Sequence, residues 1–259
     1  MTATQTLPTK TSTQKLQGKV ALVTGSSRGI GAAIARKLAA EGAIIAVNYS
    51  NSKEAAEEVA ASIAELGTTA KTFKANVAVE DEARQLVDQV VKEFGKIDIL
   101  VNNAAIWEAK PVEQIDLAHY DRVFNVNLKG VVATTIAALP HIQEGGRIIN
   151  ISSGAAKATM AGASVYSAAK SALETLTRIW GNELGARRIT VNAVAPGTTA
   201  TEMLLQALDE NVKQQMIAKT PLGRLGESDD IANVVAFVAT DEAGWITSQT
   251  INVDGGLAL

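Results

Sequence analysis

The chain has 259 residues, a hydrophobic fraction of 47% and a formal net charge of -3. Its length suits one large α/β domain or two small ones, and its apolar content is ample for a core. Because the net charge is small and no lysine- or arginine-rich run is present, neither nucleic acid nor a membrane is an expected partner. No segment reaches the roughly 18 apolar residues of a membrane span.

Cysteine is absent, which excludes disulfides, thiolate metal sites and cysteine nucleophiles, and suits a cytoplasmic location. The two histidines, His119 and His141, have no second histidine at ligand spacing, so we expect no metal site and place both on helix surfaces. Residues 1–17 lack the apolar stretch of a secretory signal and are predicted to be a disordered tail, with residues 18–259 forming a single domain.

The first predicted strand, Lys19 to Thr24, runs into a glycine-rich turn, Gly25-Ser-Ser-Arg28-Gly29-Ile30-Gly31, and then into an alanine-rich helix. Glycines let the backbone turn sharply and approach a pyrophosphate, while the amides that open the helix supply partial positive charge. Strand, turn and helix in this order indicate a dinucleotide site. The spacing is Gly-x-x-x-Gly-x-Gly rather than Gly-x-Gly-x-x-Gly, so an ordinary tight turn is the alternative.

The second predicted strand, Ile44 to Asn48, precedes a helix from Ser52 to Leu66. A site that prefers NAD places Asp or Glu at the end of this strand to hold the ribose hydroxyls. This chain has Asn48-Tyr49-Ser50-Asn51-Ser52 there, so no carboxylate repels a 2′-phosphate, and Arg28 could pair with one. The pattern favours NADP(H) over NAD(H), although Arg28 could also be a solvated loop charge.

Strands and helices continue to alternate, which predicts parallel pairing with right-handed crossovers. The next segments are a strand, a helix and a strand at Ala70 to Lys74, 81–94 and Ile97 to Val101. A helix predicted from Asn125 to Leu139 is apolar nearly all round, so it must be covered on two sides, by the sheet and best by a partner subunit. Asn127 lies near the start of this helix, where its side chain could be a capping or bridging amide.

An apolar run ends at Ile151, and Ser153 follows it. A tyrosine and a lysine on a predicted helix come next. Tyr166 and Lys170 are four residues apart and lie one turn from each other on one helix face. A nearby ammonium would lower the tyrosine pKa from its ordinary value of about 10, as a general acid or base requires. Alone, the pair is better explained by an exposed aromatic residue beside a solvated charge.

The last part of the chain contains a predicted strand from Ile189 to Ala195, closed by Pro196-Gly197-Thr198-Thr199-Ala200-Thr201. The connection that follows, at about 197–226, is long enough to be a lid, with an apolar underside from Met203 to Leu208. A helix from Asp229 to Ala239 and a final strand complete the α/β pattern.

Taken together, these segments resemble the short-chain dehydrogenase/reductase family in its classical form, from about residue 16 to the C terminus. The motifs that match in order are Thr24-Gly-Ser-Ser-Arg-Gly-Ile-Gly31, Asn102-Asn-Ala104, Asn127, Ser153, Tyr166-x-x-x-Lys170, Pro196-Gly197 and Val253-Asp-Gly-Gly256. The resemblance implies a doubly wound Rossmann-type fold of the α/β class. It has a single seven-stranded parallel sheet with helices on both faces, and it binds a nicotinamide cofactor at the carboxyl ends of its strands.

The resemblance also implies the catalytic roles. Tyr166 would be the general acid that protonates the substrate oxygen, and the base in the reverse direction. Lys170 would hold the ribose hydroxyls and lower the tyrosine pKa. Ser153 would hydrogen-bond the carbonyl, and Asn127 would hold a water in the proton path.

For the cofactor, the resemblance implies contacts to the phosphates, the adenosine and the nicotinamide. The implied residues are Gly25, Ser27, Arg28, Gly29, Ile30, Gly31, Tyr49, Ser50, Asn51, Ser52, Asn76, Val77, Asn103, Ala104, Tyr166, Lys170, Pro196, Gly197, Thr199 and Thr201. It also implies a homotetramer, although a dimer would fit. Ala105 and Ser248 stand where the family usually has glycine.

The expected function is therefore an NADP(H)-dependent carbonyl reductase, of the type that acts on 3-oxoacyl thioesters or related ketones. The segments Ile106 to Pro111 and Ala155 to Ser164 offer few charges, which favours an uncharged ketone. Two alternatives are an NAD-dependent alcohol dehydrogenase working oxidatively and a non-catalytic nucleotide-binding regulator.

Overall fold

In a computed structural model, which describes residues 14–201 and 209–257, seven strands form one sheet in the order β3-β2-β1-β4-β5-β6-β7. All six pairings between neighbouring strands are parallel. The strands are β1 (Val20–Val23), β2 (Ile44–Tyr49), β3 (Ala70–Lys74), β4 (Ile97–Asn102), β5 (Ile142–Ile151), β6 (Thr190–Pro196) and β7 (Thr250–Val253). The predicted seven-stranded parallel sheet is confirmed.

Helices cover both faces of this sheet, as predicted. Within the described ranges they are α1 (Gly29–Ala40), α2 (Lys53–Ala64), α3 (Glu80–Phe94), α4 (Leu117–Phe124), α5 (Gly130–Ala138), α6 (Ser164–Glu183), α7 (Glu210–Lys219) and α8 (Ser228–Ala239). One core cluster joins the sheet to α1, α2 and α8, and a second joins it to α3, α5 and α6. The fold is therefore a three-layer doubly wound α/β domain.

The central strands are apolar on both faces because both faces are buried. All four residues of β1 and all six of β4 are buried, as expected for a parallel sheet between two helical layers. The strand order reverses at β1, which pairs with β2 on one side and β4 on the other. A crevice opens at the carboxyl ends of strands where the order reverses, and this is where such sheets bind ligands.

Two predictions outside the sheet are wrong. The tail does not extend to residue 17, because Leu16 is 1% exposed, packs into the core and donates its backbone N–H to Glu41 at 2.8 Å. Residues 1–13 lie outside the described part of the chain. His119 is not on a helix surface but 1% exposed, since it lies on the face of α4 that turns inward.

The predicted helix from Asn125 to Leu139 is interrupted. Helix α4 leads into a π-helical turn at Asn125–Lys129, and only then does α5 begin at Gly130. Helices of this wider kind occur mostly as single turns, frequently at functional sites. Asn127 lies in the turn, and its side chain is fully buried.

Hydrogen bonds close the base of the connection predicted as a lid. Gly226 donates its N–H to Thr198 at 3.0 Å, and Ala200 donates to Gly226 at 2.7 Å. Met203 to Leu208 lie outside the described residues. Among the helices described, none is long and apolar enough to cross a membrane.

Candidate active site

The glycine loop, defined here as residues 25–31, lies at the crevice between β1 and β4. Gly25 has a φ of +61° and Gly29 a φ of +54°, in the left-handed region that favours glycine. A Cβ on Gly25 would lie 2.8 Å from Cα of Ala104, and one on Gly31 would collide with the amide of Asn103. Only glycine fits these positions, and the bare backbone at the start of α1 is a cradle suited to a phosphate.

Asn48, the fifth residue of β2, holds the glycine loop in place and was not among the predicted site residues. Its side chain is 2% exposed. Its Oδ1 accepts the N–H of Gly25 at 3.0 Å, while its Nδ2 donates to the carbonyls of Phe73 at 3.2 Å and Ala75 at 3.1 Å. One buried amide therefore ties the loop after β1 to β3, two strands away.

Thr24 joins the glycine loop to the segment after β4. Its Oγ1 accepts the backbone N–H of Asn103 at 3.0 Å and that of Ala104 at 3.1 Å. In return, Nδ2 of Asn103 donates to the carbonyls of Thr24 at 2.9 Å and Gly25 at 3.0 Å. The two loops that flank the strand reversal are thus one hydrogen-bonded unit.

The residues predicted to hold the adenosine half do not all face the crevice. Arg28 is exposed and donates a hydrogen bond from Nη2 to Oγ of Ser52, which places its guanidinium at the end of β2. Tyr49 instead packs in the core and is 7% exposed. Val77 is buried, and Asn76 is exposed, with its Oδ1 accepting from Ala78 at 3.1 Å. Arg28 and Ser52 form the cationic, carboxylate-free corner that a 2′-phosphate would need.

The segment after β6 borders the glycine loop on the other side. Gly197 packs so closely on Asp254 that an added Cβ would lie 2.7 Å from its Cα. Thr199 is 6% exposed and donates from Oγ1 to the carbonyl of Gly197 at 3.1 Å. The methyl of Thr201 lies 3.7 Å from the Cβ position of Gly29. This segment therefore lies beside the glycine loop through Thr201, and cofactor contacts of Pro196, Gly197, Thr199 and Thr201 stay a prediction.

The predicted catalytic side chains converge at the end of β5. Ser153 lies close enough to Tyr166 for its hydroxyl to lower the pKa of the phenol, and Oγ of Ser153 accepts the N–H of Ala155 at 3.2 Å. Tyr166 lies in the first turn of α6, and Lys170 follows one turn later. Nζ of Lys170 lies 5.8 Å from the centre of the Tyr166 ring and donates to the carbonyl of Ile151 at 2.7 Å.

The expected effect of Lys170 on Tyr166 is wrong for this structure. Burial raises the pKa of Tyr166 above 10.0, and the nearby hydroxyl of Ser153 only partly opposes that rise. Burial also lowers the pKa of Lys170 to about 8. The ammonium is directed at the carbonyl of Ile151 rather than at the phenol, so its charge does not overcome the desolvation of the tyrosine.

Asn127 bridges the backbone of Ile106. Its Oδ1 accepts the N–H of Ile106 and its Nδ2 donates to the carbonyl of the same residue, both at 2.9 Å. The side chain therefore has the bridging role that was the alternative at the sequence level. The water-holding role implied by the family resemblance stays a prediction.

Comparison with known proteins decides the family. The family model described as Enoyl-(Acyl carrier protein) reductase matches residues 25–258. An uncharacterized oxidoreductase of Methylorubrum extorquens is 46% identical over 94% of this chain and 99% of that protein. The 3-oxoacyl-[acyl-carrier-protein] reductase FabG of Staphylococcus aureus is 45% identical over 92% of this chain and 98% of that protein. The chain belongs to the short-chain dehydrogenase/reductase family.

A solved short-chain dehydrogenase from Burkholderia cenocepacia, in complex with NADP, matches with a TM-score of 0.90. It is 42% identical, over 94% of this chain and 99% of that one. As a member of the short-chain dehydrogenase/reductase family, the chain is an oxidoreductase. Among residues 14–201 and 209–257, no group of three acidic, histidine or cysteine side chains could hold a metal ion.

One contact in this short-chain dehydrogenase/reductase was not predicted at the level of a single residue. The ring of Trp107 lies edge to face against Tyr166, with centroids 4.6 Å apart and planes at 74°. Trp107 is 42% exposed. Nothing in its periodicity or motif context marks it, and only the segment from Ile106 to Pro111 was predicted to shape the substrate site.

The two departures from the family pattern are both accommodated. Ala105 is exposed, so its methyl group displaces nothing in the core. Ser248 adopts a φ of 61°, the left-handed conformation for which glycine is usual, and its Oγ donates to the carbonyl of Arg178 at 3.1 Å. That hydrogen bond offsets part of the strain of a side chain in this region.

Proposed function

We propose that the protein is an NADP(H)-dependent carbonyl reductase that transfers a hydride to a ketone of an uncharged small molecule. The observation that carries the proposal is the grouping of Ser153, Tyr166 and Lys170, the last two one turn apart on α6, beside the crevice that the glycine loop borders. The bound nicotinamide would supply or accept the hydride. Everything else in the reaction falls to the side chains of this chain.

Tyr166 would act as the general acid. A carbonyl oxygen placed between its Oη and Oγ of Ser153 would accept a hydrogen bond from each. As negative charge develops on that oxygen, Tyr166 would donate its proton, which its raised pKa retains at neutral pH. Lys170, with a pKa of about 8, is then the nearby group that can exchange protons at working pH. In the reverse direction, Tyr166 would take the proton from an alcohol.

The preference for NADP(H) rests on the corner at Arg28 and Ser52. Their hydrogen bond holds a guanidinium where the 2′ position of the ribose would lie, and the neighbouring Ser50 and Asn51 bring no negative charge. Arginine binds phosphate bidentately, so the corner discriminates by charge and by geometry. The NADP complex of the Burkholderia relative supports the same preference.

The substrate would be an uncharged ketone, because both charges of the segment from Ile106 to Pro111 are already paired. Glu108 binds Arg122 at 2.9 Å, and Lys110 binds Asp116 at 2.9 Å. A 3-oxoacyl thioester is the specific candidate that the FabG relative supports. An oxidative NAD-dependent alcohol dehydrogenase and a non-catalytic regulator are the alternatives.

We also propose a cytoplasmic homotetramer, with a dimer as the alternative. An apolar face joins α5 to α6, and it leaves Ile136 65% and Ile179 52% exposed. A second copy that covers this face would remove those side chains from water. Light scattering on the eluting protein would measure the mass, and a monomer would contradict this part of the proposal.

The test of the reaction is the loss of reduced-nicotinamide absorbance with a panel of 3-oxoacyl thioesters, diketones, aryl ketones and enoyl thioesters. NADPH and NADH are run side by side. We expect turnover of ketones with NADPH and slower turnover with NADH. Reduction of enoyl thioesters alone would contradict carbonyl reduction, and faster turnover with NADH would contradict the role of Arg28.

A further inference from the structure

The ring of Trp107 contacts Tyr166, the proposed general acid, and could also contact a bound substrate. Trp107 packs its ring against Tyr166 and still leaves 42% of its surface exposed. A large aromatic side chain that is exposed beside a reacting group offers apolar area and a π face to any molecule that binds there. A group bound at the phenol of Tyr166 would therefore lie beside the indole.

The residues before and after Trp107 in the chain are both anchored. Its predecessor, Ile106, has its N–H and its carbonyl clamped by the amide of Asn127, each at 2.9 Å. Its successor, Glu108, binds Arg122 through its carboxylate at 2.9 Å and contacts His119 through its carbonyl at 3.3 Å. The backbone that carries the indole is thus anchored before any ligand arrives, which limits the conformational entropy lost when a substrate packs on it.

The surroundings of Trp107 favour an uncharged ring over an ionic group. The two ion pairs of the segment use its carboxylate and its ammonium, as described above. The backbone N–H of Lys110 is also used, since it donates to the carbonyl of Gly162 at 2.9 Å and joins this segment to the loop before α6. The uncharged indole itself remains 42% exposed.

We propose that Trp107 is the specificity-determining residue of this reductase, and that its indole selects carbonyl compounds bearing an aromatic ring over saturated ones of the same size. This inference rests on the proposed carbonyl reduction. Aromatic pairs in offset or edge-to-face geometry contribute beyond the apolar area they bury, by an amount that corresponds to a preference of about 2- to 10-fold.

The test compares phenyl methyl ketone with cyclohexyl methyl ketone, which differ in aromaticity but little in volume. The measured quantity is the ratio of their kcat/KM values with NADPH. We expect the wild-type ratio to exceed one, Trp107→Leu to lower it about 2- to 10-fold and Trp107→Phe to retain most of it. Trp245→Leu is the matched control, because Trp245 is 100% exposed.

A ratio that is unchanged in Trp107→Leu, or lowered equally in Trp245→Leu, would overturn the inference while leaving carbonyl reduction intact. A binding measurement separates the two ideas further. In a Tyr166→Phe background with NADP present, NMR titration should show tighter binding of 1-phenylethanol than of 1-cyclohexylethanol, and Trp107→Leu should abolish the difference. If that preference is found but no ketone is ever reduced, the proposed reaction fails and the selection of carbonyl substrates fails with it, which leaves Trp107 as a contact for aromatic rings only.

Discussion

The two sides of the crevice are built from different interactions. On the cofactor side, Asn48 and Asn103 bind the backbone of Gly25, and Thr24 binds the backbone of Asn103. Asn48 and Thr24 are almost fully buried. On the substrate side, Trp107 and Tyr166 meet through their rings, and the flanking Glu108 is held by a surface ion pair. Backbone hydrogen bonds fix one geometry, whereas ring contacts and surface ion pairs tolerate exchange.

This difference matches what each side has to recognise. A dinucleotide is the same molecule in every turnover, so its cradle can be rigid and intolerant of substitution. Carbonyl substrates vary, and side chains such as Trp107 can be replaced without disturbing the sheet, because the indole is partly exposed. Substitutions should therefore act on folding and cofactor affinity on one side, and on rate and selectivity on the other.

The sharpest contrast comes from Tyr166→Phe on the substrate side. We expect kcat for ketone reduction to fall by about 10²- to 10⁴-fold, because the general acid is removed, while the Kd for NADPH changes little. Stopped-flow rates and a fluorescence titration measure the two quantities. Tyr120→Phe is the control, since Tyr120 is exposed and stacks on Phe124. Retained turnover in Tyr166→Phe would remove the catalytic assignment.

On the cofactor side, Asn48→Leu should cost stability and cofactor affinity together. The change leaves the N–H of Gly25 and the carbonyls of Phe73 and Ala75 without their side-chain partner, and each buried group left unsatisfied costs about 1–3 kcal/mol. Urea unfolding and NADPH titration report the two effects. Asn233→Leu, on the exposed side of α8, should show neither. A variant with normal stability and weakened NADPH binding would mean that Asn48 acts on the ligand rather than on the loop.

Lys170 gives the substrate side a stability effect that depends on pH. Its pKa falls from 10.5 to about 8 on folding, so between those values the unfolded chain binds more protons than the folded one. The free energy of unfolding should therefore rise with pH across that window, by up to about 3 kcal/mol, relative to a Lys170→Met variant. Denaturation at pH 8, 9 and 10 measures this. Lys92→Met on the exposed face of α3 is the control, and parallel curves for wild type and Lys170→Met would refute the shift.

Arg28→Ala tests the selectivity of the cofactor side. We expect the Kd for NADPH to rise about 10- to 100-fold and the Kd for NADH to stay the same, because only the charge-assisted bonds to a 2′-phosphate are removed. Arg36→Ala is a close match, since Arg36 lies two turns further along α1 and likewise donates to a serine, Ser62 of α2, at 2.9 Å. Equal weakening of both cofactors would assign Arg28 to the pyrophosphate instead.

The smallest effect should come from Glu108→Gln. Its ion pair with Arg122 is largely solvated, and such pairs contribute about 0–1 kcal/mol. We expect an unchanged melting temperature and at most a few-fold rise in KM for ketones, with kcat unaffected. A loss of kcat comparable to that of Tyr166→Phe would show that the position of Trp107 depends on this surface pair, contrary to the contrast drawn above.

The sheet and the motif residues could be predicted from the sequence, because both depend on patterns among residues that are close in the chain. Apolar runs of four to seven residues separated by helical periodicity predicted the strands to within a residue or two at most ends, for example Ile97 to Val101 against Ile97–Asn102. Glycines with positive φ, and a tyrosine and lysine one turn apart, are likewise visible without coordinates.

What the sequence did not reveal depends on contacts between distant segments. The role of Asn48 requires knowing that β3 lies next to β2, since its amide binds carbonyls of Phe73 and Ala75. The direction of the Lys170 ammonium follows from the position of Ile151, nineteen residues earlier. Leu16 was assigned to the tail because a single apolar residue among polar ones gives no pattern, although the core accepts it.

In the π-helical turn at Asn125–Lys129, the number of residues matters as much as their identity. Each residue advances a helix by about 100°, so deleting one residue from the turn would rotate α5 against α4 by that angle. Gly130 could then no longer meet the carbonyl of Val77, from which an added Cβ would be only 2.9 Å away, while Val123 kept its place in the core. An insertion or deletion in this turn should therefore either be tolerated, with α4 and α5 repacked, or prevent folding. We expect no variants of intermediate stability.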